Sequence, residues 1–269
     1  MNAICITCGT QFAESSRSPD RCPICDEERQ YVGLHGQQWT TLDDLRRDRK
    51  TQIEDEEPGL TSFSIDPKFG IGQRAFVIQT PSGNMLWDCI SLLDDVALAQ
   101  IKSLGGVSAI AISHPHYYTC MVEWSRAFGD VDIYLHRDDA QWVMRPDKRI
   151  HYWDGERYAL PGNLRLIRCG GHFKGASVLH WPEGAGGNGA LLAGDTIQVV
   201  LDRRWVSFMY SYPNYIPLNA AEVQRIVASV EMLDFERIYG AFPAMTVQSD
   251  GKGTLRRSAD RYLKAVQPV

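Results

Sequence analysis

The sequence predicts an α/β protein with mixed sheets, preceded by a small metal-stapled module. Three observations carry this. Beyond about residue 75, short apolar runs of strand length alternate with stretches of helical periodicity. The runs AFVIQT and NMLWD flank Pro81-Ser82-Gly83 and read as an antiparallel hairpin, so the strands are not all parallel. Four cysteines crowd into the first 25 residues as two CxxC pairs, Cys5/Cys8 and Cys22/Cys25. At 269 residues the chain is long enough for one main domain with an appendage.

Composition excludes several function classes. A hydrophobic content of 44% and a charged content of 23% are ordinary for a globular protein. A net charge of -5 gives no general attraction to nucleic acid or to anionic lipid. No apolar run approaches the ~20 residues of a membrane span, and MNAICITCGT lacks the charged-then-apolar pattern of a signal peptide. The simplest expectation is a cytoplasmic protein acting on a small molecule, with neither nucleic acid nor membrane as a partner.

Taken in order, the first element is the pair of CxxC knuckles. Each presents two thiolates to one tetrahedral ion, and two knuckles close a four-cysteine structural site of the kind zinc occupies. The intervening GTQFAESSRSPDR is polar and cannot build a core, so the module needs such a staple. Redox chemistry, the other use of CxxC, calls for a βαβ context that is absent. Acidic residues outnumber basic ones over residues 1–30, which leaves this zinc ribbon a structural or protein-contact role. Residues 31–60 read as a charged connecting segment. Within it TLDDLRRDRKTQIEDEE resembles a solvated helix stopped by Pro58-Gly59, and the main domain is expected over residues 61–269.

Within that domain, Val96, Leu98, Ile101 and Leu104 have helical spacing over residues 94–104, and Gly105 is placed as the stop. Residues 107–112 (VSAIAI) form a buried strand, bracketed by Gly105-Gly106 and Pro115. Helices are expected over residues 119–128 and 137–144, with a strand at Asp132–His136 between them. Further strands are expected at residues 164–169, Ser177–Trp181 and residues 190–193, with a turn at GAGGNG. An amphipathic helix over residues 220–233, a strand over 235–239 and a helix over 254–266 close the chain.

The chemistry gathers where these strands end. His114 and His116 follow the central strand, and imidazoles spaced i, i+2 are either exposed loop residues or a pair that clamps one ion. Asp88 closes NMLWD, His172 follows LRLIRCGG, and Asp195 follows ALLAG. Each has a plain alternative reading: a helix cap, a loop residue, a carboxylate bonded to backbone amides. An aromatic stretch follows Asp195: Trp205, Phe208, Tyr210, Tyr212 and Tyr215, with Arg203 and Arg204 before it. It either walls a pocket or packs in the core. Cys89, Cys120 and Cys169 read as small buried residues.

The hairpin ending in LWD, the AISHPH strand end, the GGH turn before SVLHW, and LLAGD together resemble the metallo-β-lactamase superfamily over about residues 70–265. The resemblance implies an αββα four-layer sandwich. It assigns His114, His116 and His172 as metal ligands, Asp195 as the carboxylate that usually bridges two ions, and Asp88 as a support for the metal loops. Where the family's HxHxDH motif has Asp and a final His, this chain has Tyr118 and Thr119. Where a late histidine is usual, it has Gly240, Ala241 and Phe242. The resemblance therefore implies one zinc or iron ion in the main domain and hydrolysis of an ester, thioester, amide or phosphoester. Asp195 is then a fourth ligand or a general base. Tyr118, or its neighbour Tyr117, is a proton donor or packs where a second ion would lie. Two rival readings are a non-catalytic metal-binding or assembly protein and an iron-dependent oxidoreductase.

Overall fold

The four cysteines gather the N-terminus around themselves. Residues 1–266 are described in the computed structural model, so the last three residues of the expected domain lie outside it. The strand Ile4–Cys5 pairs antiparallel with Trp39–Thr40. The ribbon thus takes its second strand from the segment expected to be a connector. One helical turn, Pro23–Asp26, carries the second knuckle, and Cys22, Ile24 and Cys25 are buried with Phe12. Trp39 meets Phe12 edge-on, with ring centroids 5.0 Å apart.

The charged run that follows is not one helix. Thr41 caps α1 (Leu42–Asp48), its hydroxyl accepting from the Asp44 N–H at 3.2 Å. The chain then enters β1 (Lys50–Glu57), and Pro58-Gly59 turns it into β2 (Leu60–Asp66), antiparallel to β1. β1 is the edge of a sheet, where charged side chains prevent unwanted pairing, and that function hides a strand behind the composition of a solvated helix.

Two compact units follow from the chain's contacts. The first comprises Met1–Leu135 with Asp139–Tyr152, the second His136–Asp138 with residue 153 onward. The first unit is built on a seven-stranded sheet in chain order: β1, β2, β3 (Ala75–Ile78), β4 (Met85–Trp87), β5 (Ala109–Ala111), β6 (Asp132–His136) and β7 (Ile150–Trp153). β1 to β4 are antiparallel, whereas β4, β5 and β6 run parallel, so the hairpin and the crossovers read in the sequence share one sheet. The crossover α2 (Asp95–Ser103) is capped by Asp94. Its carboxylate accepts from the Ala97 N–H and also from the Thr51 N–H and hydroxyl of β1. The second crossover helix, α3 (Met121–Ala127), starts two residues later than expected because Pro115–Tyr117 forms a separate 3-10 turn. Residues Arg137–Trp142, expected as an α-helix, are also 3-10.

The second unit centres on a six-stranded sheet: β8 (Arg157–Ala159), β9 (Arg165–Arg168), β10 (Ser177–Trp181), β11 (Ala190–Gly194), β12 (Arg237–Gly240) and β13 (Thr246–Val247). Only β11 and β12 are parallel. α4 (Ala220–Val230), capped by Asn219 on the Glu222 N–H, buries Val223, Ile226 and Val230 on one stripe. Each such side chain contributes about 1.5–3 kcal/mol of burial. α5 (Gly251–Val266) adds Leu255 and Ala259 to the same core. The aromatic stretch divides: Phe208 is core, Tyr215 is 84% exposed, and Trp205 lies under the Arg261 guanidinium at 3.8 Å. Arg204 is exposed and paired with Asp202 at 2.8 Å. Among the described residues no helix is long and apolar enough to cross a membrane.

Candidate metal centre

The four thiols of the ribbon are all buried. Cys5 and Cys25 Sγ are 3.5 Å apart, and Cys8 and Cys22 Sγ 3.7 Å. A disulfide would bring two sulfurs to ~2 Å. Four thiolates on an ion at ~2.3 Å lie roughly 3.8 Å from one another, which is what the pairs approach. Such crowding disfavours several thiolates without a cation: the neighbouring Cys22 thiol pushes Cys8 and Cys25 well above their ordinary range. Gln37 Nε2 donates to Cys5 Sγ at 3.2 Å, the kind of outer bond that orients a metal-ligating thiolate.

The main-domain candidates lie on the loops their strands lead into. At the end of β4, Asp88 turns the chain with φ +62°, a conformation Asp tolerates better than most residues. Its N–H donates to Ala111 O at 2.9 Å, and its Oδ1 accepts from the Ser113 N–H at 2.7 Å. A buried carboxylate therefore fixes Ser113, the second residue after β5. Ser113 Oγ in turn lies 2.9 Å from His114 Nδ1, which directs Nε2 away from the loop. The His114 and His116 rings meet edge-on with centroids 5.2 Å apart, and Tyr117 packs on His114 at the same distance. Gln73 Nε2 holds the His116 carbonyl at 3.2 Å. Both histidines are buried, so they are not exposed loop residues.

Tyr118 is also buried, and its phenol lies within electrostatic reach of Asp139 and Tyr152. Burial first, and Asp139 second, push it well above the usual tyrosine range, so it stays protonated. Burial likewise raises Cys89 and Cys120, in keeping with the reading of both as inert core thiols.

In the second unit the turn before His172 depends on its glycines. Gly171 has φ +79°, and a Cβ there would sit 2.9 Å from Ile226 and Leu218 side chains of the core. His172 Nδ1 donates to the Tyr210 carbonyl at 2.8 Å, with the Met209 carbonyl 3.2 Å away. The proton is thereby placed on Nδ1, and Nε2 carries the lone pair. Nε2 lies 3.9 Å from Asp195 Oδ2. That is too far for a hydrogen bond and near the ~3.4 Å edge between two ligands held ~2.1 Å from one ion. Tyr212, whose ring meets His172 at 5.7 Å, donates its hydroxyl to the Asp195 carbonyl at 2.7 Å. Of the aromatic stretch it is this residue, with the carbonyls of Met209 and Tyr210, that serves the site.

Two groups of donors among the described residues have the spacing of a metal site: the four cysteines, and His114, His116 and His172 with Asp195. Within each group the ligand atoms all lie within 4.8 Å of one another. Three neutral imidazoles and one carboxylate suit zinc or iron equally, and four thiolates suit zinc. Sequence reasoning found every member of both groups. It missed the partners that orient them: Ser113, Gln73, Gln37 and the Tyr210 carbonyl. Only Ser113, adjacent to His114, carried a local signal.

No family model matches the sequence. A protein of Bacillus subtilis (strain 168), named Uncharacterized protein YmaE, is 50% identical over 265 residues, covering 98% of this chain and 96% of its own length. Among solved structures, the metallo-beta-lactamase DIM-1, in a crystal exposed to ceftazidime, superposes with a TM-score of 0.59 at 12% identity. The match covers 80% of this chain and 98% of that one. The metallo-beta-lactamase FIM-1 from Pseudomonas aeruginosa, in its mono-zinc form, gives 0.59 at 16% identity, covering 81% and 97%. The chain belongs to the family of YmaE and carries the metallo-β-lactamase fold.

Proposed function

We propose that the protein is a metal-dependent hydrolase whose mononuclear centre is held by His114, His116, His172 and Asp195, with a separate structural zinc on Cys5, Cys8, Cys22 and Cys25. The observation that carries this reading is the histidine group itself: four buried donors, each from a different point of the chain's strand ends or loops, with ligand atoms within 4.8 Å. Burying three imidazoles and a carboxylate together is costly without a cation to share, and such clusters occur at metal and catalytic sites. When bound, a divalent ion supplies Lewis-acid activation of a water molecule and of a substrate oxygen.

The chain's own residues do the rest. His172 is held as the Nε2 donor by the Tyr210 carbonyl, and Asp88 and Ser113 hold the His114 loop. The His172–Asp195 separation favours Asp195 as the fourth ligand over a free general base. Tyr118 enters as a protonated phenol that packs or donates a hydrogen bond and does not act as a base. One ion in the main domain is favoured because, by the resemblance, Tyr118 and Thr119, and one of Gly240, Ala241 and Phe242, take the sequence positions of a second ion's private ligands, and none of these residues replaces a carboxylate or an imidazole. Ester, thioester, amide and phosphoester linkages all present an oxygen that such a centre can polarise.

The test is turnover on a panel of those four linkages by protein purified anaerobically, with metal analysis before and after a chelator. Hydrolysis that disappears with the chelator, returns with added metal, and is lost in His116→Ala supports the reading. Metal bound with no turnover on any linkage would favour a binding or assembly role, and iron with oxygen-dependent turnover would favour an oxidoreductase.

A further inference from the structure

The ribbon does more than tie down the N-terminus. Gly9, the residue after Cys8, presents its carbonyl to the Ser91 hydroxyl at 2.8 Å. Its φ is +82°, and a Cβ at this position would fall 2.2 Å from Ser91 Oγ and 3.7 Å from the Thr119 methyl. Two residues on, the Gln11 N–H donates to Thr119 O at 3.1 Å. Thr119 stands three residues after His116 and has φ +23°, a backbone state that a β-branched residue holds only when its surroundings impose it.

The Gln11 side chain accepts from Arg145, whose same guanidinium nitrogen donates to Glu123 on α3 at 2.6 Å. Cys120 Sγ donates to Ser91 O at 3.2 Å, closing the ring of contacts around Thr119. A second path reaches His116 from the other side. Gly70 lies against the Cys8–Gly9 backbone, which a Cβ there would meet in ordinary contact at 3.5 Å. Gln73, three residues later, holds the His116 carbonyl. The backbone between His116 and Thr119 is thus held at both ends by contacts that lead back to the Cys5–Cys8 knuckle.

We infer that the ion held by Cys5, Cys8, Cys22 and Cys25 positions the His114–His116 loop, so that occupancy of the cysteine group raises the affinity of the histidine group for its own metal. This rests on the reading of both groups as metal sites. Cys5–Cys8 closes on its ion, which sets where Gly9 and Gln11 lie. These hold Ser91 and Thr119, and the loop then presents its imidazoles without further ordering. Without the ion the four thiols at the centre of the Phe12–Ile24 cluster lose the group that ties them together, the two tethers slacken, and the histidines must be ordered by the incoming metal. Outer-shell supports of metal ligands are worth about 10–100-fold in affinity. The coupling is reciprocal, as any linkage between two binding equilibria must be.

The experiment is cobalt(II) titration of the whole chain, because cobalt bound by thiolates has an intense near-ultraviolet charge-transfer band that a histidine–carboxylate centre lacks. Wild type should show two ions per chain, one of them with the thiolate band. In Cys22→Ser, which opens the cysteine group without touching the Gly9 or Gln11 contacts, the thiolate-bound ion is lost. The histidine group should then bind cobalt at least tenfold more weakly. Ser91→Ala keeps the thiolate band and cuts one tether, and should weaken the histidine group about threefold, so the coupling is tested even where Cys22→Ser does not fold. Histidine-group affinity within twofold of wild type in both variants overturns the inference while leaving the two metal sites intact. A wild type that takes up only the thiolate-bound ion overturns the histidine metal centre, and this inference with it.

Discussion

The two donor groups are alike in number and burial and differ in how the chain makes them. The cysteine group lies between residues 5 and 25, on two knuckles of fixed spacing, and local turns suffice to bring its sulfurs within 3.7 Å in pairs. The histidine group draws on residues from 114 to 195, and each member stands at the end of a strand or glycine turn whose place depends on a sheet. The first group is closed, with four thiols and no position to spare, as structural sites are. The second has three imidazoles and a carboxylate backed by carbonyl, hydroxyl and carboxylate partners. If both groups take up metal as proposed, the short-range one would be assembled by its ion, whereas the long-range one would be assembled by the fold and then offered to the ion.

The largest effect that would sharpen this contrast is expected from Cys8→Ser. Beyond Phe12 and Ile24, with Trp39 packed against them, the buried centre of the ribbon is its four thiols, so one ion per chain should be lost, and the amides of residues 3–40 should lose most of their hydrogen-exchange protection, with both sheets still folded. Structural zinc in small modules contributes on the order of 10 kcal/mol to their folding. Retained ribbon protection with the ion gone would show that packing, not metal, assembles it.

His172→Ala comes next. It should remove the main-domain ion, lowering affinity by at least a hundredfold, with the circular dichroism spectrum unchanged and the melting temperature within a few degrees. Unchanged metal content on elemental analysis would break the four-donor group.

A smaller effect separates inert thiols from ligands. Burial pushes the Cys169 thiol up to about 11 from an ordinary 9.0. Because the folded state holds the proton more tightly, its contribution is whole below pH 9 and is lost as the pH rises through 9 towards 11. Denaturant melts should show a decline of about 3 kcal/mol over that window. In Cys169→Ala the decline should shrink, and a profile identical to wild type would remove Cys169 as its source.

The smallest expected change is in Asp88→Asn. The side chain still accepts from the Ser113 N–H but loses its charge, and metal affinity at the histidine group should fall about tenfold, or about 1.4 kcal/mol. Competition with a chromophoric chelator would measure it, and an unaltered affinity would show that Asp88 shapes only the turn.

Much of this protein was legible in its residues, for identifiable reasons. CxxC spacing encodes geometry directly, so the ribbon needed no tertiary information. HPH after an apolar run, GGH, and LLAGD each combine a strand that periodicity reveals with a donor that chemistry singles out. Charge misled at β1, because an edge strand and a solvated helix both carry Glu, Asp and Lys. The 3-10 turns at Pro115–Tyr117 and Arg137–Trp142 were also missed, since i, i+3 and i, i+4 spacing differ too little over one turn.

By itself the sequence determined which side chains have metal-ligating chemistry, that four of them stand on two closely spaced knuckles, and that the rest follow strands. The tertiary structure alone decided which nitrogen of His172 carries the proton, because that depends on the carbonyl of Tyr210, thirty-eight residues away. It also decided that Tyr117, not Tyr118, packs on His114, and that Gln11 of the ribbon holds Thr119. Hydrogen bonds and ring contacts are made at 3–5 Å between residues far apart in the chain, and no local pattern of residues carries that information.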